Sequence, residues 1–497
     1  MHNTLGIIKD KVLTYEQKVL SLAREAENSL KVLNISEAAQ DYRDDGIICD
    51  LNEGNAPYRP RYIAPDYEKF MQNGSEFLGL KPPTNIWEAT NNLLILYKHV
   101  PSITSFPVYI GNIDTLLDPF IQDEKEAYLA IKLFLTHIDR TVTDSFCHAN
   151  IGPRETKAGR IILEVQRELQ TSIPNITLKY GDETPDDFAV ESIKTALVTA
   201  KPSFANHRMF SKEFDDNYCI ASCYNGLPIG GGSFTLVRLN LAGLAKKASN
   251  DEDFLNNILP DAVKRMASYM DQRIKFIVEE SNFFESSFLV KEGLISKDRF
   301  TAMFGMFGLA ECVNHFISSS KQGDRFGHSE KANTLGYKII QKLYEEVNNH
   351  KNPYCKITNE NFLLHAQVGI ETDKGISPGC RVPIGEEPEL HEHLIQSAQF
   401  HKFFPSGIGD IFTFDETTKK NPKYLLDIIK GAFKQDMRYF SLYCSDCDVI
   451  RITGYLVKKS DIEKLERGEQ VLSDTVVLGL GAVKNSRILE RKVRSND

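Results

Sequence analysis

The feature that most constrains the fold is an alternation of strand-like runs and helical segments that begins near residue 176. The runs ITLKY, SFTLVRLNL, TAMFGMFG and NFLLHAQVGI are rich in β-branched and aromatic residues. Segments with amphipathic helical spacing follow the first three runs, at Asp186–Ala200, Ala242–Ser249 and Leu309–Ser318. Such alternation is typical of βα units. It predicts an α/β fold with a parallel sheet, either open or closed into a barrel.

Helical spacing dominates the N-terminal third of the chain. Apolar residues recur on one face of each of three segments, Lys9–Leu33, Asn85–Val100 and Glu124–Arg140. Asn85 and Glu88 also have the spacing of an N-terminal capping pair. We therefore predict a mostly helical region ahead of the alternating part.

The last part of the chain combines a helix with a hairpin-like stretch. Lys423–Gln435 has helical spacing, and RYFSLYCSDCDVIRITGYLVKK follows it. Ser460 and Glu463 have capping-box spacing for one more helix. The run RITGYLV is therefore expected in a strand or loop just before a helix begins.

Charge and hydropathy exclude several classes of function. The chain has 59 Lys and Arg against 68 Asp and Glu, a net charge of −9, and the two signs are interspersed. This argues against a surface for a nucleic-acid backbone. No apolar run approaches a membrane span, and the first residues lack a signal-peptide core. We expect a cytoplasmic protein in which the nine cysteines remain thiols.

The run Arg451-Ile452-Thr453-Gly454-Tyr455 places a glycine among β-branched and aromatic residues. A glycine in a strand usually marks a bulge, a turn or a close approach of backbone. The run also resembles the C-terminal signature of glycyl radical enzymes, an Arg, two residues and then Gly-Tyr before a helix. Glycine suits this chemistry because its α-carbon radical can become planar without a side chain clashing. The resemblance implies that Gly454 stores an unpaired electron.

The same resemblance implies a cysteine that passes the radical to a substrate. Cys219 and Cys223 precede a Gly-rich turn and a strand that ends in Asn240-Leu241. This segment is similar to the thiyl-loop region of anaerobic ribonucleotide reductases. Cys223 is preferred because it is nearer the Gly-rich turn, and Cys219 remains the alternative. Cys380 is a weaker candidate because it follows FGLAEC, which is the wrong order for the superfamily.

Two further segments agree in order. FGMFGLAECV resembles the Gly-Leu-Asn-Glu segment of those reductases, and FPSGIGDI resembles a Ser-Gly loop ahead of their radical domain. Glu311, in the first of these, is a candidate base. The resemblance spans 217–468 and is greatest to the YjjI-like glycine radical proteins, through RITGYLVKKSDIEKLERGEQ.

What the resemblance implies for the fold is a ten-stranded α/β barrel made of two five-stranded halves. The chain then divides into a mainly helical part at 1–175, a barrel core with the thiyl loop at 176–420, and a glycyl radical subdomain at 421–497. No cofactor is expected to stay bound. A radical S-adenosylmethionine activating enzyme with an iron-sulfur cluster would install the Gly454 radical, and a Cys223 thiyl would then take a hydrogen atom from a small organic substrate without oxygen present.

The substrate does not follow from the sequence. The adjacent cysteines of pyruvate formate-lyases and the Gly-Cys-Val-Glu run of diol dehydratases are both missing. A lyase, a dehydratase and an acyltransferase all stay open. An anaerobic ribonucleotide reductase-like enzyme and a non-catalytic radical-domain partner protein are the alternatives, and the oligomeric state is open between monomer and homodimer.

Other patterned residues receive structural interpretations. His391 and His393 in ELHEHL are interpreted as a solvated helix face, and Gly230–Gly232 as tight packing, since it lacks the lysine and spacing of a P-loop. Cys444 and Cys447 have metal-ligand spacing, but a closed tetrahedral metal site needs four ligands and this pair supplies two. Anaerobic ribonucleotide reductases carry two such pairs. We therefore assign no metal site, and metal binding by the pair stays open.

Overall fold

The computed structural model describes residues 4–51, 57–102, 106–317, 324–367, 373–452, 454–485 and 487–495. The strands are β1 Ile48–Cys49, β2 Tyr62–Ala64, β3 His148–Ile151, β4 Asn175–Tyr180, β5 Ser203–Asn206, β6 Tyr218–Ala221, β7 Asn225–Pro228, β8 Gly231–Asn240, β9 Phe300–Phe307, β10 Leu363–Ala366, β11 Asp410–Phe414, β12 Tyr439–Cys444, β13 Val449–Arg451, β14 Leu456–Lys458 and β15 Val493–Arg494.

The α-helices are α1 Thr4–Lys9, α2 Tyr15–Asn28, α3 Glu37–Asp44, α4 Tyr67–Asn73, α5 Ile86–Tyr97, α6 Ile113–Leu117, α7 Glu124–Thr141, α8 Lys157–Leu169, α9 Asp186–Thr199, α10 His207–Phe214, α11 Leu241–Ala245, α12 Asp251–Asp253, α13 Leu259–Lys275, α14 Phe283–Ser286, α15 Phe288–Lys291, α16 Leu309–Phe316, α17 Glu330–Asn349, α18 Leu390–Ala398, α19 Pro422–Lys434, α20 Lys459–Glu466 and α21 Asp474–Asn485. None of these described helices is long and apolar enough to cross a membrane.

Two sheets organise the molecule. A six-stranded sheet has the order β15-β11-β12-β5-β4-β3, and a five-stranded sheet has the order β1-β8-β9-β10 with β2 also paired to β8. The α/β class predicted from the sequence is confirmed. Both sheets are mixed, because β12 runs antiparallel to β5, and β1 and β2 run antiparallel to β8. Among the described strand pairs the two sheets do not join, so closure into one ten-stranded barrel stays a prediction.

The predicted βα alternation is present where the sequence pattern was strongest. β4 precedes α9, β8 precedes α11, and β9 precedes α16. β8, β9 and β10 are parallel neighbours, and all eight residues of β9 are buried. A strand covered on both faces reads as a continuous apolar run, which explains why TAMFGMFG showed no polar alternation.

The six-stranded sheet draws strands from distant parts of the chain. β3 comes from before residue 176 and pairs with β4, whereas β11, β12 and β15 complete the other end of the sheet. Strands from before residue 176 and from the C-terminal end therefore contribute to one sheet. This arrangement matters for the site, since it puts the segment around Gly454 beside the early strands.

Two local predictions at helix starts had mixed outcomes. The Asn85 side chain caps α5 as predicted, accepting from the Glu88 backbone N–H at 3.0 Å. The capping box predicted from Ser460 and Glu463 is wrong, because Ser460 lies inside α20 and donates to Asp448 at 2.8 Å. The Asp448 carboxylate also accepts from the Ser460 N–H at 2.9 Å, so an acidic residue from the preceding strand turn takes the capping role.

The solvated face predicted for ELHEHL is also wrong at one position. His391 is exposed, but His393 is 2% exposed and its Nε2 lies 2.9 Å from Asp410 Oδ2. The polar residues around His393 suggested an exposed position. The buried histidine is compatible with the interior because it is hydrogen-bonded to Asp410 on a separate strand, β11.

Candidate active site

Gly454 lies in the turn of the hairpin formed by β13 and β14. Arg451 pairs with Leu456 across the hairpin, and the Ile452 N–H donates to the Tyr455 carbonyl at 3.1 Å. Thr453 lies outside the described residues. Gly454 is buried, and its carbonyl accepts from the Asn175 side-chain amide at 3.2 Å. The glycine of the sequence signature is therefore an interior residue.

Two buried arginines hold the hairpin in place. Arg451 donates from Nε to the Ala200 carbonyl at 2.8 Å and from Nη2 to Asn175 Oδ1 at 3.2 Å. Arg491 donates to the carbonyls of Arg451 and Ile452 at 3.2 and 3.3 Å. Burial lowers the pKa of Arg451 to about 10, which still leaves the guanidinium charged at neutral pH.

Cys223 lies in the short turn between β6 and β7. Ala221 pairs with Asn225 across this hairpin, and Ser222 adopts a left-handed backbone with a φ of 58°. The turn is therefore tight, and it sets the thiol at the tip of the hairpin.

The six-stranded sheet supports this turn through polar side chains. His148 Nδ1 lies 3.0 Å from the Ser222 carbonyl, and the Tyr439 hydroxyl donates to the Cys223 carbonyl at 3.0 Å. Thr177 Oγ1 connects the two, at 2.7 Å from His148 Nε2 and 2.8 Å from the Tyr439 hydroxyl. Burial lowers the pKa of His148 to about 3, so the ring is neutral.

The two hairpin tips are in direct contact. A Cβ atom added to Gly454 would lie 2.0 Å from the Cys223 Cβ and 3.0 Å from its Sγ. What excludes a side chain is the space taken by Cys223. The Gly454 α-carbon and the Cys223 side chain are thus in van der Waals contact.

The Cys223 thiol is protonated at neutral pH. Its side chain is 3% exposed, and Sγ lies 3.4 Å from Asn225 Oδ1 as a hydrogen-bond donor. Burial raises the pKa of Cys223 to about 11. The sulfur-hydrogen bond is therefore intact beside Gly454, as hydrogen-atom transfer requires and nucleophilic catalysis does not.

The contact predicts an effect on stability. Gly454→Ala should lower the melting temperature of the unactivated protein, because forcing a methyl group into packed space costs about 1–3 kcal/mol. Gly431→Ala is the matched control, since Gly431 lies in α19 with nothing within 4 Å of its added Cβ and an ordinary φ. In a helix that change is expected to stabilise by roughly 0.5–1 kcal/mol.

A double variant connects the loss to Cys223. Removing the Cys223 side chain as Cys223→Gly should make Gly454→Ala less costly than it is in the wild-type background, because the colliding Cβ is gone. If the two substitutions instead lowered the melting temperature additively, the predicted collision between position 454 and the Cys223 side chain would be contradicted.

Cys219 occupies a different environment from Cys223. It lies within β6, opposite Leu227, and packs in the main apolar core, whereas Cys223 packs in a separate cluster with Tyr224 and Tyr439. Burial raises the pKa of Cys219 to about 12. The contact with Gly454 is made by Cys223.

Glu311 lies in the first turn of α16. Its Oε1 accepts from the Ser377 N–H at 3.0 Å and from the Ser377 hydroxyl at 2.7 Å. Its Oε2 is buried and has no hydrogen-bond partner among the described residues. Burial raises the pKa of this carboxyl group. The assignment of Glu311 as a base stays a prediction.

The other cysteines considered from the sequence, Cys380 and Cys447, are both buried. Cys380 is buried, and burial raises the pKa of its thiol, as Asp410 does to a smaller extent. The Cys447 thiol donates to the Leu197 carbonyl at 3.0 Å. No group of three or more His, Cys, Asp or Glu residues suited to a metal occurs in the part of the chain that the structure describes. Metal binding by Cys444 and Cys447 stays open.

Sequence reasoning missed the polar residues that position the two hairpins. They come from separate strands and from the C-terminal segment: His148, Asn150, Asn175, Thr177, Tyr439 and Arg491. One signal was present, because HANI and NITLKY place polar residues inside runs that are buried throughout most of their length. A polar side chain in a buried strand needs a partner, and here the partners are the hairpin backbones.

The chain matches relatives over almost its whole length. A family model described as glycyl radical enzyme YjjI-like matches residues 13–494. An uncharacterized protein of Haemophilus influenzae is 46% identical, over 99% of this chain and 98% of its own. The uncharacterized protein YjjI of Escherichia coli is 44% identical, over 98% of this chain and 95% of its own.

Solved structures show the same fold at low identity. The anaerobic ribonucleotide reductase from Thermotoga maritima, in complex with dATP and CTP, has a TM-score of 0.69 at 13% identity and covers 94% of this chain and 93% of its own. Hydroxyproline dehydratase from Clostridioides difficile has a TM-score of 0.67 at 10% identity, covering 100% and 89%. The B12-independent glycerol dehydratase from Clostridium butyricum has a TM-score of 0.67 at 11% identity, and the match covers 97% of this chain and 86% of the dehydratase. These structures show the fold, and the family model together with the two relatives shows that the chain belongs to the YjjI-like family of glycyl radical enzymes.

Proposed function

We propose that this protein is a glycyl radical enzyme in which Gly454 stores the radical and the Cys223 thiol carries it to a small organic substrate. The observation that supports this most is the contact of the two hairpin tips, with an added Gly454 Cβ only 3.0 Å from the Cys223 Sγ. Hydrogen-atom transfer needs such proximity, because the moving atom travels a fraction of an ångström between donor and acceptor.

The reaction begins with loss of one hydrogen atom from the Gly454 α-carbon. The Cys223 sulfur-hydrogen bond then breaks homolytically, and the hydrogen atom moves to Gly454, which leaves a thiyl radical on sulfur. The thiyl takes a hydrogen atom from a substrate carbon and returns one to the product radical. That return regenerates the thiyl, which takes a hydrogen atom back from the Gly454 α-carbon, so each turnover restores both the thiol and the glycyl radical and consumes no oxidant. The raised pKa of Cys223 favours this route, since a thiolate has no hydrogen atom to transfer.

Installation of the radical requires a partner. Members of this family are generally activated by a radical S-adenosylmethionine enzyme, and we propose the same for this chain. Gly454 is buried and its hairpin is held by Arg451 and Arg491. The hairpin must therefore leave its place before the activating enzyme can reach the α-carbon.

The structural likeness extends to reductases and to dehydratases at 10–13% identity, so it shows the fold alone. A non-catalytic partner protein would not need a thiol beside the glycine, which favours an enzyme. As expected from the sequence, we also propose that the protein acts in the absence of oxygen, that oxygen inactivates it once the radical is formed, and that it is located in the cytoplasm.

Electron paramagnetic resonance tests the radical assignment. Anaerobic incubation with the matched activating enzyme, S-adenosylmethionine and a reductant should give a doublet, because one α-hydrogen remains on Gly454. Growth on α-deuterated glycine should turn the doublet into a singlet, and Gly454→Ala should give neither. A doublet that persists in Gly454→Ala would contradict the assignment, as would silence of the wild type with an activating enzyme that cleaves S-adenosylmethionine.

A further inference from the structure

A cluster of cationic and polar side chains surrounds Cys223, and the transfer of a hydrogen atom from the thiol to Gly454 does not use it. Arg61 and Arg381 are 7% and 9% exposed, so both guanidinium groups are inside the protein. Burial dominates the pKa of Cys223 and raises it, while the charges of Arg381 and Arg61 both act in the opposite direction. Both cations therefore act electrostatically on the thiol.

Arg381 presents an unoccupied edge. Its Nε donates to the Gly409 carbonyl at 2.9 Å and lies 3.9 Å from Asp410 Oδ1, and its Cζ is 6.0 Å from the centre of the Tyr224 ring. Asp410 itself is engaged by His393 at 2.9 Å. The hydrogen bonds of Arg381 to described residues all use Nε, which leaves both terminal nitrogens available. Tyr224 directly follows Cys223, so this edge is next to the thiol turn.

A buried polar atom without a partner lies beside the thiol. Asn225 Nδ2 makes no hydrogen bond with any described residue, whereas the side chains of His365 and Gln367 interact with each other. Asn225 also accepts the Cys223 thiol through Oδ1 at 3.4 Å, and the His365 ring centre is 5.6 Å from that of Tyr224. Buried polar atoms nearly always have partners in folded proteins. The unpaired amide donor of Asn225 next to the thiol, together with the terminal nitrogens of Arg381, indicates a bound group with acceptor oxygens.

We propose that this cluster binds the carboxylate of the organic substrate from which Cys223 takes a hydrogen atom, with Arg381 as the main anchor. The planar edge of a guanidinium matches the two oxygens of a carboxylate. Arg61 adds a second positive charge, and Asn225 Nδ2 offers a further donor. The proposal rests on the proposed role of Cys223 as the residue that meets the substrate.

Affinity labelling of the unactivated protein tests the proposal without any radical. Iodoacetate carries a carboxylate and iodoacetamide does not, while both alkylate thiols. The ratio of their rates at Cys223, followed by mass spectrometry, should exceed the ratio for free glutathione about tenfold or more, because hydrogen bonds from a cation to a carboxylate are among the stronger ones in proteins. Arg381→Gln should bring the ratio to the glutathione value.

The matched control removes a positive charge from the surface. Arg208→Gln eliminates a side chain that is 66% exposed and paired with Asp436, and its labelling ratio should equal that of the wild type. A wild-type ratio at or below the glutathione value would overturn the proposal. So would an equal loss of the ratio in Arg208→Gln, since that would indicate net charge and not a site.

Thermal denaturation supplies a second measurement that does not need the thiol to react. At matched ionic strength, acetate should raise the melting temperature of the wild type above that in chloride or acetamide, and should fail to do so in Arg381→Gln. Stabilisation by inorganic phosphate alone would overturn the choice of a carboxylate. Because Arg381→Gln leaves Gly454 and Cys223 unchanged, it should still form the glycyl radical, so failure here is distinguishable from failure of the radical assignment.

Discussion

Air admitted to the activated protein should cut the chain at Gly454. A carbon-centred backbone radical combines with oxygen, and the adduct breaks the main chain at that residue. We expect a long fragment that ends near Thr453 and a small one that reaches Asp497, which mass spectrometry resolves. Loss of full-length protein should match the fraction of chains that carried the radical, so this is the largest effect predicted here.

Two samples serve as controls for that cleavage. Unactivated protein should stay intact in air, because a closed-shell glycine in a buried turn has no such reactivity. Activated Gly454→Ala should also stay intact. Cleavage at another residue, or equal cleavage with and without activation, would mean that Gly454 has only the packing role seen against Cys223.

Replacement of Cys223 by Ser should separate storage of the radical from its use. Cys223→Ser is expected to form the glycyl radical, since activation acts on Gly454, and to support no turnover. A readout independent of substrate is the doublet in heavy water. In the wild type the thiol hydrogen exchanges with solvent and passes to Gly454, so the doublet should collapse to a singlet. In Cys223→Ser it should remain a doublet.

Cys219→Ser is the matched control for this experiment. Cys219 is buried in β6 and lies in the main apolar core, away from the Cys223 cluster, so its variant should collapse to a singlet as the wild type does. The opposite pattern, a persistent doublet in Cys219→Ser and a singlet in Cys223→Ser, would show that Cys219 transfers the hydrogen atom and that the assignment to Cys223 is wrong.

Short stretches of sequence were enough to predict the candidate site residues and many of the strands and helices. Gly454 and Cys223 were identified from short signatures, and the structure brings these two into contact although 230 positions separate them in the chain. Strands such as β4 and β9 were predicted because their runs are rich in β-branched and aromatic residues, and helices such as α9 because apolar residues recur with helical spacing. Composition and helical periodicity are both local properties, so they can be read from a short stretch of sequence.

Properties that depend on distant pairing were not accessible from the sequence. The antiparallel step between β12 and β5 brings together residues far apart in the chain, and no local pattern encodes it. The same holds for Arg381, which follows the β10 strand by a loop and reaches Gly409 and the Tyr224 ring. His393 looked solvent-facing for the same reason, since its carboxylate partner lies on another strand.

The pairing of β15 has a consequence for how the enzyme is switched on. The hairpin with Gly454 is tied to one sheet at both ends, by β12 in the sheet interior and by β15 at its edge. Among the described residues, β15 pairs with β11 at two positions, Thr413 with Val493 and Phe414 with Arg494, and the Arg494 side chain also donates to the Pro388 carbonyl at 2.7 Å. If the hairpin opens as proposed, these contacts at the C-terminal end are among those that an activating enzyme would have to release. Enzyme preparations that carry extensions at this end are expected to differ in how fast they are activated.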